Sequence, residues 1–299
     1  MFIIKHSKLF FGISALLVAA SFVLIGTKGL PLSIDFTGGS ILEVTYTNER
    51  PTRDVVEAAV GAVVPNASVT LTGERGIIVR TPFLEDTDRE EVLTALEVDG
   101  ALFTEDRFSS IGPSIGEELK RKAFVAIGLV VVVIIVYVAF AFRRGDDEAR
   151  PQVKGPSSWV YGLVAVIALL HDIIIPAGFF ALMGLEVDTL FVMALLAILG
   201  FSVNDTIVVF DRIRENLREN ADRKRSEDFG ETVGKSLEQT FVRSINTSFT
   251  TLIVLVTLFV FAGAAVHNFA LALIVGIIVG TYSSIFLASP LLVLFGRRK

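Results

Sequence analysis

The segment GFSVNDTIVVFDR, Gly200 to Arg212, sets Ser202, Asn204 and Asp205 inside a run otherwise apolar enough to lie in lipid. An aspartate at the centre of a membrane helix costs about 2.5–3.5 kcal/mol on insertion scales, so it persists where it carries an ion, pairs a charge or holds a substrate. Ser202, three residues earlier, shares the helical face of Asp205 and is placed to solvate the acid. Arg243 stands where the next apolar run begins, on the same side, so a salt bridge or water-linked pair with Asp205 is geometrically open. Burial favours a neutral carboxyl and a nearby cation favours a charged one, and these opposed effects make a proton-loading site. The plainer reading is that Asp205 ties helices together while Arg243 reaches lipid phosphates.

His171 and Asp172 sit near the middle of another apolar run, followed by Pro176, whose missing N–H frees a carbonyl one turn earlier. Two ionisable neighbours beside a helix irregularity suggest a relay or a hinge. Structural hydrogen bonding is the alternative, because adjacent helical residues point in different directions. Ala272, Gly276, Gly280, Ser284 and Ala288 place a small residue at every fourth position of the last apolar run. Such a stripe permits close helix approach, within the chain or at a subunit seam. Asp35, Gly38 and Gly39 in LSIDFTGGS follow the first apolar run, and Gly112, Pro113 and Gly116 in IGPSIGEEL precede the second. These two stretches read as the connectors of an inserted domain.

Cysteine is absent, which excludes disulfides, thiolate metal sites and cysteine nucleophiles. The histidines, His6, His171 and His267, are too scattered for H-E-x-x-H zinc spacing. GETVGKS, Gly230 to Ser236, falls short of a phosphate-binding loop, because a glycine would be needed at Phe229 and no strand precedes it. No covalent catalysis, metal or cofactor is expected. The exchangeable species is a proton, with Na+ left open as the coupling ion.

The elements that must hold these residues follow from hydropathy. The chain is 52% hydrophobic with mean hydropathy +0.65, above the roughly 45–50% of soluble domains. Apolar runs near the roughly 20 residues a bilayer core requires occur at 9–25, 123–142, 159–185, 190–210, 245–266 and 269–295. The first follows Lys5 and Lys8 but lacks an A-x-A-like cleavage site, so it reads as a retained anchor. Six spans group residues 1–8, 143–158, 211–244 and 296–299 on one side, with 17 of the 27 Lys and Arg; the opposite turns 186–189 and 267–268 have none. That asymmetry assigns both termini to the cytoplasm. The mixed-charge run RIRENLRENADRKR reads as a solvated helix touching lipid headgroups, or else as a docking surface.

Residues 28–122 carry ten basic and 17 acidic side chains and are long enough to be exported regardless of charge. SILEVTY alternates as a strand, TRDVVEAAVGAV has helical spacing, and SVTLT and GIIVRT read as two strands joined by a turn. Thr87 and Glu90 suggest a capping box before VLTALEV, and LFTEDRFSSI closes as a strand. The expected fold is a polytopic α-helical membrane protein with six transmembrane helices and an α+β ferredoxin-like (βαββαβ) exported domain between the first two. The divisions are 1–27, 28–122 and 123–299.

The segments LSIDFTGGSILEV, IGPSIGEEL, ALLHDIII and GFSVNDTIVVFDRIRENLRE together resemble the SecF subunits of the bacterial and archaeal protein-export machinery, within the resistance-nodulation-division superfamily. The resemblance runs nearly end to end. It implies a SecD partner completing a twelve-span core, association with the SecYEG channel, and proton-driven movement of exported domains that draws preprotein outward across the inner membrane. The family's membrane acid maps onto Asp205 and its basic residue at the fifth span onto Arg243. Membrane lipids are expected neighbours and nucleic acid is not. The rivals are a proton-coupled lipid or small-molecule exporter of the same superfamily and a scaffold that only stabilises a partner.

Overall fold

The computed structural model describes residues 2–142, 155–225 and 227–296. The chain divides into two compact units, Leu32–Phe124 and a second made of Met1–Pro31 with Val125–Lys299. The expected loop 143–154 and the C-terminal basic residues 297–299 lie outside the described residues.

A four-residue turn α1 (Phe2–Lys5) leads into α2 (Ser7–Lys28). The only buried residues of α2 are Ser14 and Ser21. They mark the face that meets the bundle, and the rest of the helix is apolar and exposed, as a lipid-facing span must be.

After the short helix α3 (Ile34–Thr37), Leu32–Phe124 builds β1 (Gly39–Tyr46), α4 (Arg53–Val63), β2 (Ser68–Thr72), β3 (Gly76–Thr81), α5 (Asp86–Leu96) and β4 (Phe103–Ile111). The sheet is antiparallel in the order β2-β3-β1-β4. Leu42, Val44 and Tyr46 alternate inward on β1 and meet Val56 and Val60 of α4 and Val92 and Leu96 of α5 in one apolar core. The cap of α5 differs from expectation. Asp88 accepts from the Glu85 N–H at 3.2 Å, so the capping box is Glu85–Asp88, two residues before Thr87–Glu90. Starting two residues earlier puts both Asp86 and Asp88 in the first turn, at the positive end of the helix dipole.

Then come α6 (Pro113–Ala141), α7 (Ser158–Met183), α8 (Thr189–Asp222), α9 (Phe229–Phe261), α10 (Ala264–Tyr282), a π-helical turn Ser283–Ala288 and α11 (Ser289–Gly296). Among the described residues, six helices are long and apolar enough to cross a membrane. Three outrun their apolar stretches. α6 starts at Pro113, well before residue 123; α8 continues through the charged run and α9 starts well before residue 245, and these two extensions pair with each other. Asn216 Nδ2 donates to Ser236 Oγ at 2.8 Å and Asn220 Nδ2 to Thr232 Oγ1 at 3.1 Å. GETVGKS therefore forms the opening turns of α9, with Asp228 capping the Gly230 N–H at 2.9 Å. Below the polar residues Phe142, Tyr161 and Phe210 cluster, Phe142 stacking on Tyr161 at 5.0 Å and Phe210 meeting both edge-on.

The π turn lies just before Pro290, which has no N–H for the carbonyl four residues earlier, and at its end Ser289 Oγ donates to the Ser284 carbonyl at 3.1 Å. The extra residue aims Ser283 and Ser284 together into the bundle, where both are fully buried.

Candidate functional site

Close packing comes first. A Cβ at Gly276 would collide with the side chain of Ile198, and one at Gly280 would lie 3.1 Å from Ser202 Cβ and 3.7 Å from Asp172 Oδ2. The small-residue stripe is thus spent inside the chain, drawing α10 onto α8. A Cβ at Gly178 would likewise strike Ser21, so α2 approaches α7 as closely. In lipid such contacts are a main source of helix association, since the surrounding tails are as apolar as leucine.

Within the seam so formed lie two buried carboxylates. Asp205 of α8 accepts on Oδ1 from Ser244 Oγ of α9 at 2.6 Å, while its Oδ2 is buried without a hydrogen-bond partner. Ser284 is beside it, but its hydroxyl donates to the Gly280 carbonyl at 2.9 Å and contacts Thr206 Oγ1 at 3.0 Å. Asp172 of α7 is fully buried. Its Oδ1 lies 2.9 Å from His171 Nδ1; its Oδ2 accepts from Ser202 Oγ and, at 2.8 Å, from Ser283 Oγ. One turn along, Ser248 of α9 bonds Thr281 of α10 at 2.6 Å.

Ser202 therefore serves Asp172 rather than Asp205. It sits at the α8–α10 crossing over Gly280, whereas Asp205 reaches to the neighbouring α9. His171 and Asp172, although adjacent, do converge. Asn204 is exposed on α8 and Arg243 is exposed on α9. Among the described residues no ion pair joins Arg243 to Asp205. The hydroxyls of Ser244, Ser248, Thr206, Thr281 and Ser283 were not singled out from sequence. Their signal was present as Ser or Thr recurring at i+3 or i+4 within apolar runs.

The connector residues also assemble. Ser33 caps the Asp35 N–H at 3.2 Å. Gly38 (φ 71°) lies so near Pro113 that a Cβ would fall 2.7 Å from its Cα, and a Cβ at Gly116 would fall 2.7 Å from the Gly38 nitrogen. Gly39 (φ 125°) leaves no room against the Thr81 carbonyl, while Gly112 is in ordinary contact distance of Phe83. Backbone packs on backbone, and only glycine permits it.

Fold and site define a polytopic membrane protein with a buried acid–hydroxyl seam and an inserted antiparallel-sheet domain. Residues 92–298 match the C-terminal family of the SecD/SecF protein export membrane proteins, and residues 23–49 match the SecD/SecF GG motif. Protein translocase subunit SecF of Thermobaculum terrenum is 39% identical over 97% of this chain and 92% of that protein. The Vibrio alginolyticus subunit is 36% identical over 99% and 90%. The crystal structure of SecDF, a translocon-associated membrane protein from Thermus thermophilus, superposes with a TM-score of 0.83 at 34% identity. That match covers 98% of this chain and 38% of the SecDF chain. The chain belongs to the SecF branch of the SecD/SecF protein-export membrane protein family. This membership does not favour the lipid or small-molecule exporter.

Proposed function

We propose that the chain works with SecD, beside the SecYEG channel, to promote preprotein translocation and release across the cytoplasmic membrane at the expense of the proton motive force. The observation that carries this is Asp205. One carboxylate oxygen is fixed by Ser244 and the other is buried and bare, and Arg243 stands on the next helix. A buried polar atom without a partner is a place where a proton or water binds. One charge moving through 100 mV releases about 2.3 kcal/mol, enough to bias a two-state packing.

The Lys and Arg asymmetry supports cytoplasmic termini with Leu32–Phe124 outside. The β-α-β-β-α-β order with strands β2-β3-β1-β4 supports a ferredoxin-like unit. Arg243, Asn246, Thr247 and Thr250 are all exposed on α9, with Asn204 exposed on α8. So polar a surface within membrane spans requires cover, and SecD is the proposed cover. Translocase subunits of this kind move substrate without covalent chemistry.

The test is export into vesicles holding this chain, SecD and SecYEG. Asp205→Asn should assemble normally and lose the gradient-dependent component of export, because the amide keeps shape but cannot exchange a proton. Full gradient stimulation in the assembled mutant would falsify the coupling role. Arg243→Lys should retain most of that component and Arg243→Leu should lose about tenfold, the rate equivalent of roughly 1.4 kcal/mol. Equal activity of the leucine variant would reduce Arg243 to a lipid-facing side chain.

A further inference from the structure

We propose that His171 Nε2 is a second proton-binding atom of the bundle, its imidazolium held by Asp172 and its state passed to Asp205 through the adjacent hydroxyls of Ser283 and Ser284. This deepens the proton-coupled reading and rests on it for a place in the cycle, though not for its chemistry.

Asp172 takes hydroxyl donors on Oδ2 and faces the imidazole with Oδ1. An ionised carboxylate only accepts, so the ring must present N–H at Nδ1. Nε2 then carries the lone pair, and it is buried with no hydrogen-bond partner. A proton arriving there forms one N–H bond and breaks none within the pair, whose net charge passes from -1 to zero. No other ionisable group is placed to neutralise Asp172. Tyr282 of α10 stacks on His171 at 6.1 Å but spends its hydroxyl on the Phe10 carbonyl at 3.1 Å. The other titratable side chain of α10, His267, is at the far end of that helix, and the charged residues of α2, Lys8 and Lys28, lie near its two ends. α11 has no ionisable residue; α8 adds Asp205 and, from Asp211 onward, its charged extension.

The link to Asp205 is a shared acceptor. Ser283 Oγ is within bonding distance of Asp172 Oδ2 (2.8 Å) and of the Gly280 carbonyl (3.0 Å), and Ser284 Oγ donates to that same carbonyl at 2.9 Å. Each hydroxyl has one proton to give. Once the imidazolium neutralises Asp172, Ser283 is held there less strongly and turns to Gly280. Ser284 is then free to turn its proton toward the bare Oδ2 of Asp205. The π turn, which sets both serines on one side of the helix, makes this exchange possible; such turns recur at functional sites.

The experiment is ring-nitrogen NMR of the full chain in lipid nanodiscs, with 15N-labelled histidine. Only three histidines contribute, each with a pair of ring-nitrogen signals, and His171→Gln assigns the relevant pair. As the pH is lowered over the range in which the protein stays folded, wild-type His171 Nε2 should pass from bare to protonated, with Nδ1 hydrogen-bonded throughout. Asp172→Asn should lower the proton affinity by about tenfold or more. Ser283→Ala, which leaves the pair intact and should fold where Asp172→Asn does not, should raise it by about three- to tenfold. Asp205→Asn should keep the transition and displace its midpoint by about fivefold, and in Ser284→Ala that displacement should vanish. Because the transition is read without export, it stands or falls apart from the role of Asp205 in coupling. A bare Nε2 over the whole range, or a midpoint indifferent to both Asp172→Asn and Ser283→Ala, overturns the site. A midpoint unmoved by Asp205→Asn overturns the link.

Discussion

The cores of Leu32–Phe124 and of the helix bundle differ in the polar side chains they hold. In the first, Val44, Val56, Val60, Ile77, Val79, Val92 and Leu96 are all fully buried aliphatics, and Tyr46 places its hydroxyl on the Leu96 carbonyl at 2.8 Å. In the second, His171, Asp172, Ser202, Asp205, Thr206, Ser244, Ser283 and Ser284 share the interior with large aliphatic and aromatic side chains such as Leu169, Phe180, Ile198 and Phe210. Each region has buried polar atoms without partners. In the domain they are Thr81 Oγ1 and the Nε of Arg89, a guanidinium already bonded to both oxygens of Glu105. In the bundle they include His171 Nε2 and Asp205 Oδ2, atoms that take protons. The contrast follows from the solvent. Water rewards apolar burial at about 25 cal/mol per Å², whereas lipid does not, so helices there are held by close contact and by hydroxyl bridges. On the proposed coupling role, the domain keeps its shape and the bundle changes its charge.

The largest blow to this contrast should come at Gly276. Leucine there must displace Ile198 and part α10 from α8, costing at or beyond the upper end of about 1–3 kcal/mol for overpacking. Gly12→Leu, in open space on α2, should leave the purified chain near wild type. Thermal unfolding in detergent compares the two, and equal melting temperatures would show that close contact does not hold the bundle.

A smaller effect is expected where the connectors meet. Gly38→Ala combines a left-handed backbone with a Cβ 2.7 Å from Pro113 Cα, together about 2–3 kcal/mol. Gly29→Ala meets the same backbone restriction (φ 75°) in open space, so only about 1–2 kcal/mol is lost. Hydrogen exchange at the paired amides of β1 and β4 should accelerate for Gly38→Ala and remain unchanged for Gly29→Ala. The reverse order would remove the backbone contact from the argument.

The residues that were legible in the sequence are those whose types are anomalous where they stand. Asp205, His171 and Asp172 were visible because charge is rare in apolar runs, and Gly276 and Gly280 because their spacing is regular. The helix and strand periods likewise located the six long helices and the four strands. What could not be read was partnership. Whether Ser202 turns to Asp205 or Asp172 depends on which helix crosses at Gly280, a tertiary fact that no local spacing encodes. The π turn escaped for a similar reason, since Pro290 announces a missing donor but not which register the chain adopts. The helical extensions of α8 and α9 were hidden because Asn216 and Asn220 look solvated until Ser236 and Thr232 are seen opposite them.

The finest test of the contrast is a single oxygen in the dry core. Tyr46→Phe removes the hydroxyl and leaves the Leu96 carbonyl without its bond, at a cost of about 1 kcal/mol, the low end of the range for an unsatisfied buried group. The same residue supplies a pH signature. Burial pushes the Tyr46 phenol above its ordinary value, so the fold prefers the neutral form. That contribution is complete below about pH 10, the unfolded value, and is lost as the pH rises from there through the folded one. In wild type, urea unfolding followed at β1 should weaken above about pH 10, and in Tyr46→Phe the additional weakening at this step should be absent. A phenylalanine variant that keeps the full alkaline loss would place its origin elsewhere in the domain. Loss of stability under mild acid instead would show that this core, like that of the bundle, holds a group that takes up protons.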